Sequence, residues 1–218
     1  MIENRYRTSH IEALELRRLL AASVDGSGIL QVSGTEANDS IVVSAVGANT
    51  QVVVNGGAAQ SFATSSIKGA NIQALGGNDV IIITTALPLC AVFGGAGNDK
   101  IAGGDGNETL NGNAGKDQID GGLGNDKLNG NGGNDKLFGG AGGDRLYGGA
   151  GNDYLDGGSS GDKLYGQAGM DTMLGQSGDD NLQAYDTDVD QVFGGTGADS
   201  GIVDSKDVRG SIEQIAVI

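Results

Sequence analysis

Aspartate recurs at a nine-residue interval through the middle of this 218-residue chain: Asp99, Asp117, Asp126, Asp135, Asp144, Asp153, Asp162, Asp171 and Asp180. Glu108 fills the one gap in the series. A short carboxylate repeated at fixed spacing beside glycine-rich segments converges oxygen ligands on a hard cation. Zinc chemistry does not fit, because the repeats contain neither His nor Cys. Mg²⁺ fits poorly too, since it demands a small octahedral cage and keeps its waters, whereas a carbonyl-rich turn suits Ca²⁺. Catalytic constellations are missing: there is no HExxH, and the single histidine, His10, lies far from the repeats and is read as neither ligand nor base. No segment outside the repeats is large enough for a catalytic domain, so the chain is read as a non-enzyme.

The elements that must carry these carboxylates follow from the frame. From Gly94 to Gln183 the chain reads as ten uninterrupted nonapeptides, beginning GGAGNDKIA, GGDGNETLN, GNAGKDQID. Slots one, two and four are mostly Gly, read as supplying the positive backbone angles and close carbonyl approach of a tight turn. Asn113, Asn131, Gln167 and Gln176 replace the slot-two Gly, and Ser160 a slot-four Gly; turns with Gln or Ser are expected to be weaker sites, and Glu108, one methylene too long, a doubtful one. Slot eight is always aliphatic: Ile101, Leu110, Ile119, Leu128, Leu137, Leu146, Leu155, Leu164, Met173 and Leu182. With slot eight inward and slots seven and nine outward, each unit holds a three-residue strand, too short to stand alone. Stacking is obligatory. Two units per coil give an all-β solenoid of about 18 residues per turn. One carboxylate ladder then contains Asp99, Asp117, Asp135, Asp153 and Asp171, and the other Glu108, Asp126, Asp144, Asp162 and Asp180.

Composition agrees. Hydrophobic residues make up 38% and aromatic residues 4%, too little for a broad core, while the 42 glycines are periodic instead of scattered. A formal charge of −15 excludes nucleic acid or an anionic membrane as main partner and points to cations. So thin an aliphatic seam beside two stacks of like charge needs a divalent ion between coils, which would bind only the folded state and stabilise it by mass action. The single Cys90 rules out an intrachain disulfide framework. No stretch reaches the roughly 18 apolar residues of a membrane span, and the run around Leu19 to Ala22 is too short for a secretory h-region.

These units resemble the hemolysin-type calcium-binding repeats of the RTX family, with consensus GGxGxDxUx, over residues 94 to 183. The resemblance implies a right-handed parallel β-roll, secreted or on the cell surface, holding multiple Ca²⁺ ions between successive turns. It implies as ligands the nine slot-six aspartates, with Asp199 from the next, imperfect unit, together with backbone carbonyls of the turns. Those carbonyls belong to Gly94, Ala96 and Gly97, then Gly112, Ala114 and Gly115, then Gly121, Leu123 and Gly124. The series continues with Gly130, Gly132 and Gly133, with Gly139, Ala141 and Gly142, and with Gly148, Ala150 and Gly151.

Four segments are expected: a tail or short helix over 1–22, irregular solenoid and hairpin over 23–93, the regular calcium-binding roll over 94–201, and a capping strand over 202–218. Upstream, Asp39 and Asp79 occupy slot six of diverged copies, and Ile41 to Val46 with Gln51 to Val54 alternate toward an Asn55-Gly56-Gly57 turn, a hairpin signal. Pro88 and Cys90 are assigned to an apolar insertion, Cys90 as a small buried side chain. Downstream, Asp190 followed by Val192 reads as a unit with one inserted residue, and the unit from Gly194 shifts its apolar position to Ile202. Leu14-Glu15-Leu16-Arg17-Arg18-Leu19-Leu20 resembles the LEPR-XLL segment of exported planctomycete proteins, with Leu16 where proline is usual; this implies an exported envelope protein. The alternative is a tail or small capping helix.

The favoured function is an extracellular calcium-stabilised structural or adhesive module. Alternatives are a glycan-binding accessory module or the calcium-binding part of a secreted toxin or enzyme system. A membrane-active toxin would need long apolar or amphipathic helices, which are absent. One outer face aligns Lys127, Arg145 and Lys163 beside Tyr147 and Tyr165, able to grip an acidic glycan or another copy of the roll. The plainer reading is a solvated face whose cations balance nearby aspartates.

Overall fold

The computed structural model describes residues 22–212 and 214–217. His10, the LEPR-XLL-like segment and the rest of the expected N-terminal helix up to residue 21 lie outside the described residues. The described chain forms a parallel β-solenoid of two eleven-stranded sheets, between which successive strands alternate from Gly69–Gln73 onward. Through the regular part, residues 18 apart pair in parallel register. Leu110 lies against Leu128, Leu128 against Leu146 and Leu146 against Leu164 in one sheet; Ile101, Ile119, Leu137, Leu155 and Met173 line up in the other. All ten slot-eight side chains are buried. They form the expected seam, extended upstream by Val32, Ile41, Ile72, Ile81 and Val92 and downstream by Val192.

Glycine-rich turns join the sheets and fix the coil length. Except in the Glu108 unit, where Gly104 and Gly106 are not left-handed, slots two and four hold positive φ: Gly115 has φ 135° and Gly124 119°, and the replacements Asn113, Asn131, Gln167, Gln176 and Ser160 keep φ between 75° and 84°. A left-handed backbone is strained for Gln and Ser, so the stacked neighbours hold these turns in place. Slot one obeys a different rule. Gly112, Gly121 and Gly130 are not left-handed; a Cβ on Gly121 would sit 2.6 Å from Asp126 Oδ2 and 2.5 Å from the Gly139 carbonyl oxygen. Glycine is required there because the carboxylate and a carbonyl from the next coil fill the Cβ space.

This gives a sharp expectation. Gly130→Ala, whose methyl would press on Asp135 Oδ2 and stand 2.6 Å from the Gly148 oxygen, should destabilise the calcium-loaded roll by about 1–3 kcal/mol as overpacking does. Gly132→Ala, two residues on, meets nothing nearer than 3.7 Å and should leave the thermal midpoint almost unchanged. Equal losses in the two variants would refute the steric reading.

The N-terminal coils are longer. Ser40–Val46 and Asn49–Val54 form an antiparallel hairpin, but its tight turn is at Gly47-Ala48, with Val46 facing Asn49, not at Asn55-Gly56-Gly57. The latter turn leads on to a third antiparallel strand, Gln60–Ala63. Gly47, with φ 61°, carries the tight turn. Cys90 is buried as expected, but it opens the solenoid strand Cys90–Ala96 and pairs with Ala70 and Glu108, so it is no part of an insertion. Burial first, then the charges of Glu108 and Asp126, push its thiol up to about 12, which leaves it inert.

At the other end Asp190 and Val192 take slots six and eight after one extra residue. Gly201, not Ile202, then occupies slot eight opposite Leu182; Ile202 faces outward and Val203 is the buried residue. The stretch expected as one closing strand supplies two, Val208–Gly210 in one sheet and Gln214–Val217 in the other.

Candidate metal centre

Each slot-six side chain points into its own turn and is nearly inaccessible to water, with Asp135, Asp144, Asp162 and Asp171 each 1% exposed. One oxygen is committed to the stack. The backbone N–H of Asp99 donates to Asp117 Oδ1 at 2.8 Å, that of Asp117 to Asp135 Oδ1 at 2.8 Å, that of Asp135 to Asp153 Oδ1 at 2.7 Å and that of Asp153 to Asp171 Oδ1 at 2.8 Å. The second row repeats this from Glu108 N–H to Asp126 Oδ1 and on through Asp144, Asp162 and Asp180. Both expected ladders therefore exist, and each aspartate accepts from the coil before it.

The other oxygen is left over. Oδ2 of Asp99, Asp117, Asp126, Asp135, Asp144, Asp153, Asp162, Asp171 and Asp180 is buried without a hydrogen-bond partner. A buried carboxylate oxygen with no donor costs several kcal/mol unless a proton or a cation meets it. Its surroundings are electronegative: above the slot-one Cα, Asp153 Oδ2 and the Gly166 carbonyl oxygen converge at Gly148, and Asp162 Oδ2 and the Gly175 oxygen at Gly157. Desolvation, and then neighbouring carboxylates, raise the acids well above their ordinary range, to about 7 for Asp117, Asp162 and Asp171 and about 6 for Asp144 and Asp153.

Among the described residues no three His, Cys, Asp or Glu side chains gather closely enough to cage a metal. An ion here must complete its shell from backbone carbonyls. Slot-one carbonyls of Gly112, Gly139, Gly148 and their counterparts face the leftover carboxylate oxygens. Slot-three carbonyls of Ala96, Ala114, Gly132, Ala141 and Ala150 already accept an N–H from the slot-four glycine of the preceding coil, at 2.8 Å, and keep a second lone pair. An all-oxygen set of one carboxylate oxygen with several carbonyls suits Ca²⁺ in size and hardness.

Glu108 departs as its length dictates. Its Oε2 folds back to the Gly104 N–H at 3.4 Å and Oε1 is unpartnered. It is the first acid of its row, since Cys90 holds the equivalent position one coil earlier.

The slot-five asparagines and the end of the first row at Asp207 escaped the sequence reading. Slot-five asparagines form a second ladder with opposite direction: Asn98 Oδ1 accepts from the Lys116 N–H at 2.7 Å, Asn107 from Asn125 at 2.8 Å, and Asn125 from Gly143 at 2.7 Å. The recurrence of Asn at 98, 107, 125, 134 and 152 was the available signal. The first row is also longer than its regular part. Asp39 N–H donates to Asp79 Oδ1, Asp79 N–H to Asp99 Oδ1, Asp171 N–H to Asp190 Oδ1 and Asp190 N–H to Asp207 Oδ1. Its terminal acids have both oxygens satisfied by protein donors: Asp39 by Asn55 and by the N–H and hydroxyl of Thr35, and Asp207 by the N–H groups of Asp190 and Asp204. Asp79 and Asp190, inside those ends, keep an orphaned Oδ2.

A family model described as the RTX calcium-binding nonapeptide repeat matches four times, over residues 93–128, 129–164, 147–182 and 165–200. No curated protein and no solved structure matches the chain.

Proposed function

Residues 93–200 belong to the RTX calcium-binding nonapeptide repeats, and from that premise we propose that the chain is an extracellular structural or adhesive module whose folding is coupled to Ca²⁺ held between stacked turns. The repeats bind Ca²⁺, and several copies mean several ions. The observation that carries the reading is the row of buried, unpartnered Oδ2 atoms, one in each successive glycine-rich turn.

Bound calcium supplies positive charge that neutralises two stacks of carboxylates. The chain supplies the rest. Slot-six acids from Asp99 to Asp180, with Asp199 in the following unit, offer the charged oxygen; slot-one, slot-three and slot-four carbonyls offer the neutral ones; and the missing slot-one Cβ keeps the space open. Residues 94–201 are the metal-binding unit in this reading, and the flanking coils close the seam. No slot-six carboxylate is placed to work as general acid or nucleophile on a substrate, since each is enclosed in its turn, which supports a structural role for these rows. Among the described residues no helix is long and apolar enough to cross a membrane; secretion or attachment outside the cell is what the repeat family favours.

Asp135→Ala separates this reading from a purely architectural one. It removes an orphaned oxygen mid-stack, whereas Asp39→Ala removes a side chain already satisfied by Thr35 and Asn55. In calcium titrations followed by circular dichroism, Asp135→Ala should lower the cooperativity and raise the midpoint several-fold, with Asp39→Ala close to the parent. Identical titrations for both would defeat the proposal.

A further inference from the structure

The outer face of the sheet containing Lys127–Gly132, Arg145–Ala150 and Lys163–Ala168 carries three parallel rows. In-register pairing sets Lys127, Arg145 and Lys163 side by side, then Asn129, Tyr147 and Tyr165, then Asn131, Gly149 and Gln167. Tyr147 and Tyr165 stack with centroids 4.7 Å apart and planes 5° from parallel, and Lys127 Nζ stands 5.4 Å from the Tyr147 ring. Among the described residues none of the three cations has an ion-pair partner, on a chain of net charge −15.

One coil further the aromatic row stops at Gln183, paired with Tyr165. The shorter side chain leaves a cleft of about 300 Å³, with Tyr165 and the exposed Tyr185 on its walls, Gln167 and Gln183 as amides and Asp186 at its edge. A second cleft, of about 290 Å³, lies beyond Tyr147 between Lys127, Asn129, Asn131 and Gln167. Aromatic faces, amides and unpaired cations in adjacent rows make a surface that is apolar, hydrogen-bonding and positively charged at once.

We infer that this face binds an anionic polysaccharide running along the roll axis. A pyranose C–H face meets the ring face of Tyr165 that its stack with Tyr147 leaves free, with Tyr185 across the cleft, while hydroxyl groups meet the amide row and uronate carboxylates meet Lys127, Arg145 and Lys163. The coils repeat at about 4.8 Å, close to the length of one hexose in an extended chain, so successive sugars meet equivalent coils. An acidic peptide would satisfy the cations but has no pyranose face for the tyrosines. A neutral glycan would satisfy the tyrosines and leave the cations unused. The inference adds a ligand to the proposed module and needs the roll to be formed, which circular dichroism of the same samples reports separately.

The test uses the full chain in saturating calcium, titrated calorimetrically with trigalacturonide, too short to gel with calcium, and in parallel with maltotriose and hexaglutamate. Trigalacturonide should bind with an affinity that falls with salt, about tenfold more weakly in Tyr165→Ala and in Tyr185→Ala. The triple variant Lys127→Gln, Arg145→Gln, Lys163→Gln should lose the salt dependence. All substituted side chains face outward, so the variants should keep the parental spectrum; Tyr165→Leu serves if Tyr165→Ala does not. No binding of trigalacturonide by the folded parent overturns the inference. So does equal binding of maltotriose, or binding of hexaglutamate that the tyrosine variants retain. Self-association of the parent that Tyr165→Ala abolishes would assign the face to a second copy of the chain instead.

Discussion

Stripped of calcium at neutral pH, the chain loses most of its β-structure between residues 94 and 201 and recovers it in millimolar calcium, but not in equal magnesium. The buried rows demand this. Consecutive Oδ2 atoms in one row belong to coils about 4.8 Å apart, and each lacks a donor from the protein. Like charges at that spacing repel by a few kcal/mol per neighbour even at an effective dielectric near 20, and each also bears a desolvation penalty. The seam opposing them is one aliphatic residue per turn. Each ion removes repulsion on both sides of itself, so refolding should be cooperative in calcium. Far-UV circular dichroism with size-exclusion chromatography reads the outcome; a compact, unchanged protein in chelator would overturn the metal-coupled account.

Acid should partly replace the metal. The folded-state values of Asp117, Asp162 and Asp171 lie near 7 and those of Asp144 and Asp153 near 6, above the ordinary 3.8 of an aspartate in the unfolded chain. Folding therefore takes up protons, and stability rises as pH falls. Above about pH 8 the metal-free roll carries its full penalty; from 8 down to about 4 the penalty is progressively relieved; below about 4 both states are protonated and nothing more is gained. In chelator, β-structure should return between about pH 8 and 5, above the pI of about 4.1 where precipitation intrudes. Calcium affinity should weaken over the same interval, because proton and ion compete for one oxygen. Steady loss of structure on acidification in chelator would contradict the burial of these groups.

Much of this was readable in the residues because one frame repeats. Leu128 and Asp126 recur with their types and spacing intact, so once two nonapeptides are taken per coil the two carboxylate rows and the inward seam follow from the periodicity. What escaped depends on contacts between coils. The reason for Gly121 is the carboxylate and carbonyl that fill its Cβ space, and no local propensity records that. Asn125 serves an N–H on the next coil, a role invisible within one nonapeptide. Ile202 looked like the inward residue because it is apolar, yet the register set by Leu182 turned Gly201 inward. In the hairpin, one glycine at 47 was overlooked beside two at 56 and 57, although strand pairing chose the earlier turn.

The aspartate and asparagine ladders run in opposite senses, and this gives damage a direction. Losing the side chain of Asp135 strands the amide of Asp117, one coil toward the N-terminus; losing that of Asn125 strands the amide of Gly143, one coil toward the C-terminus. A lesion in one column is thus felt upstream and a lesion in the other downstream. Neither end of the roll is privileged as the place where unravelling starts.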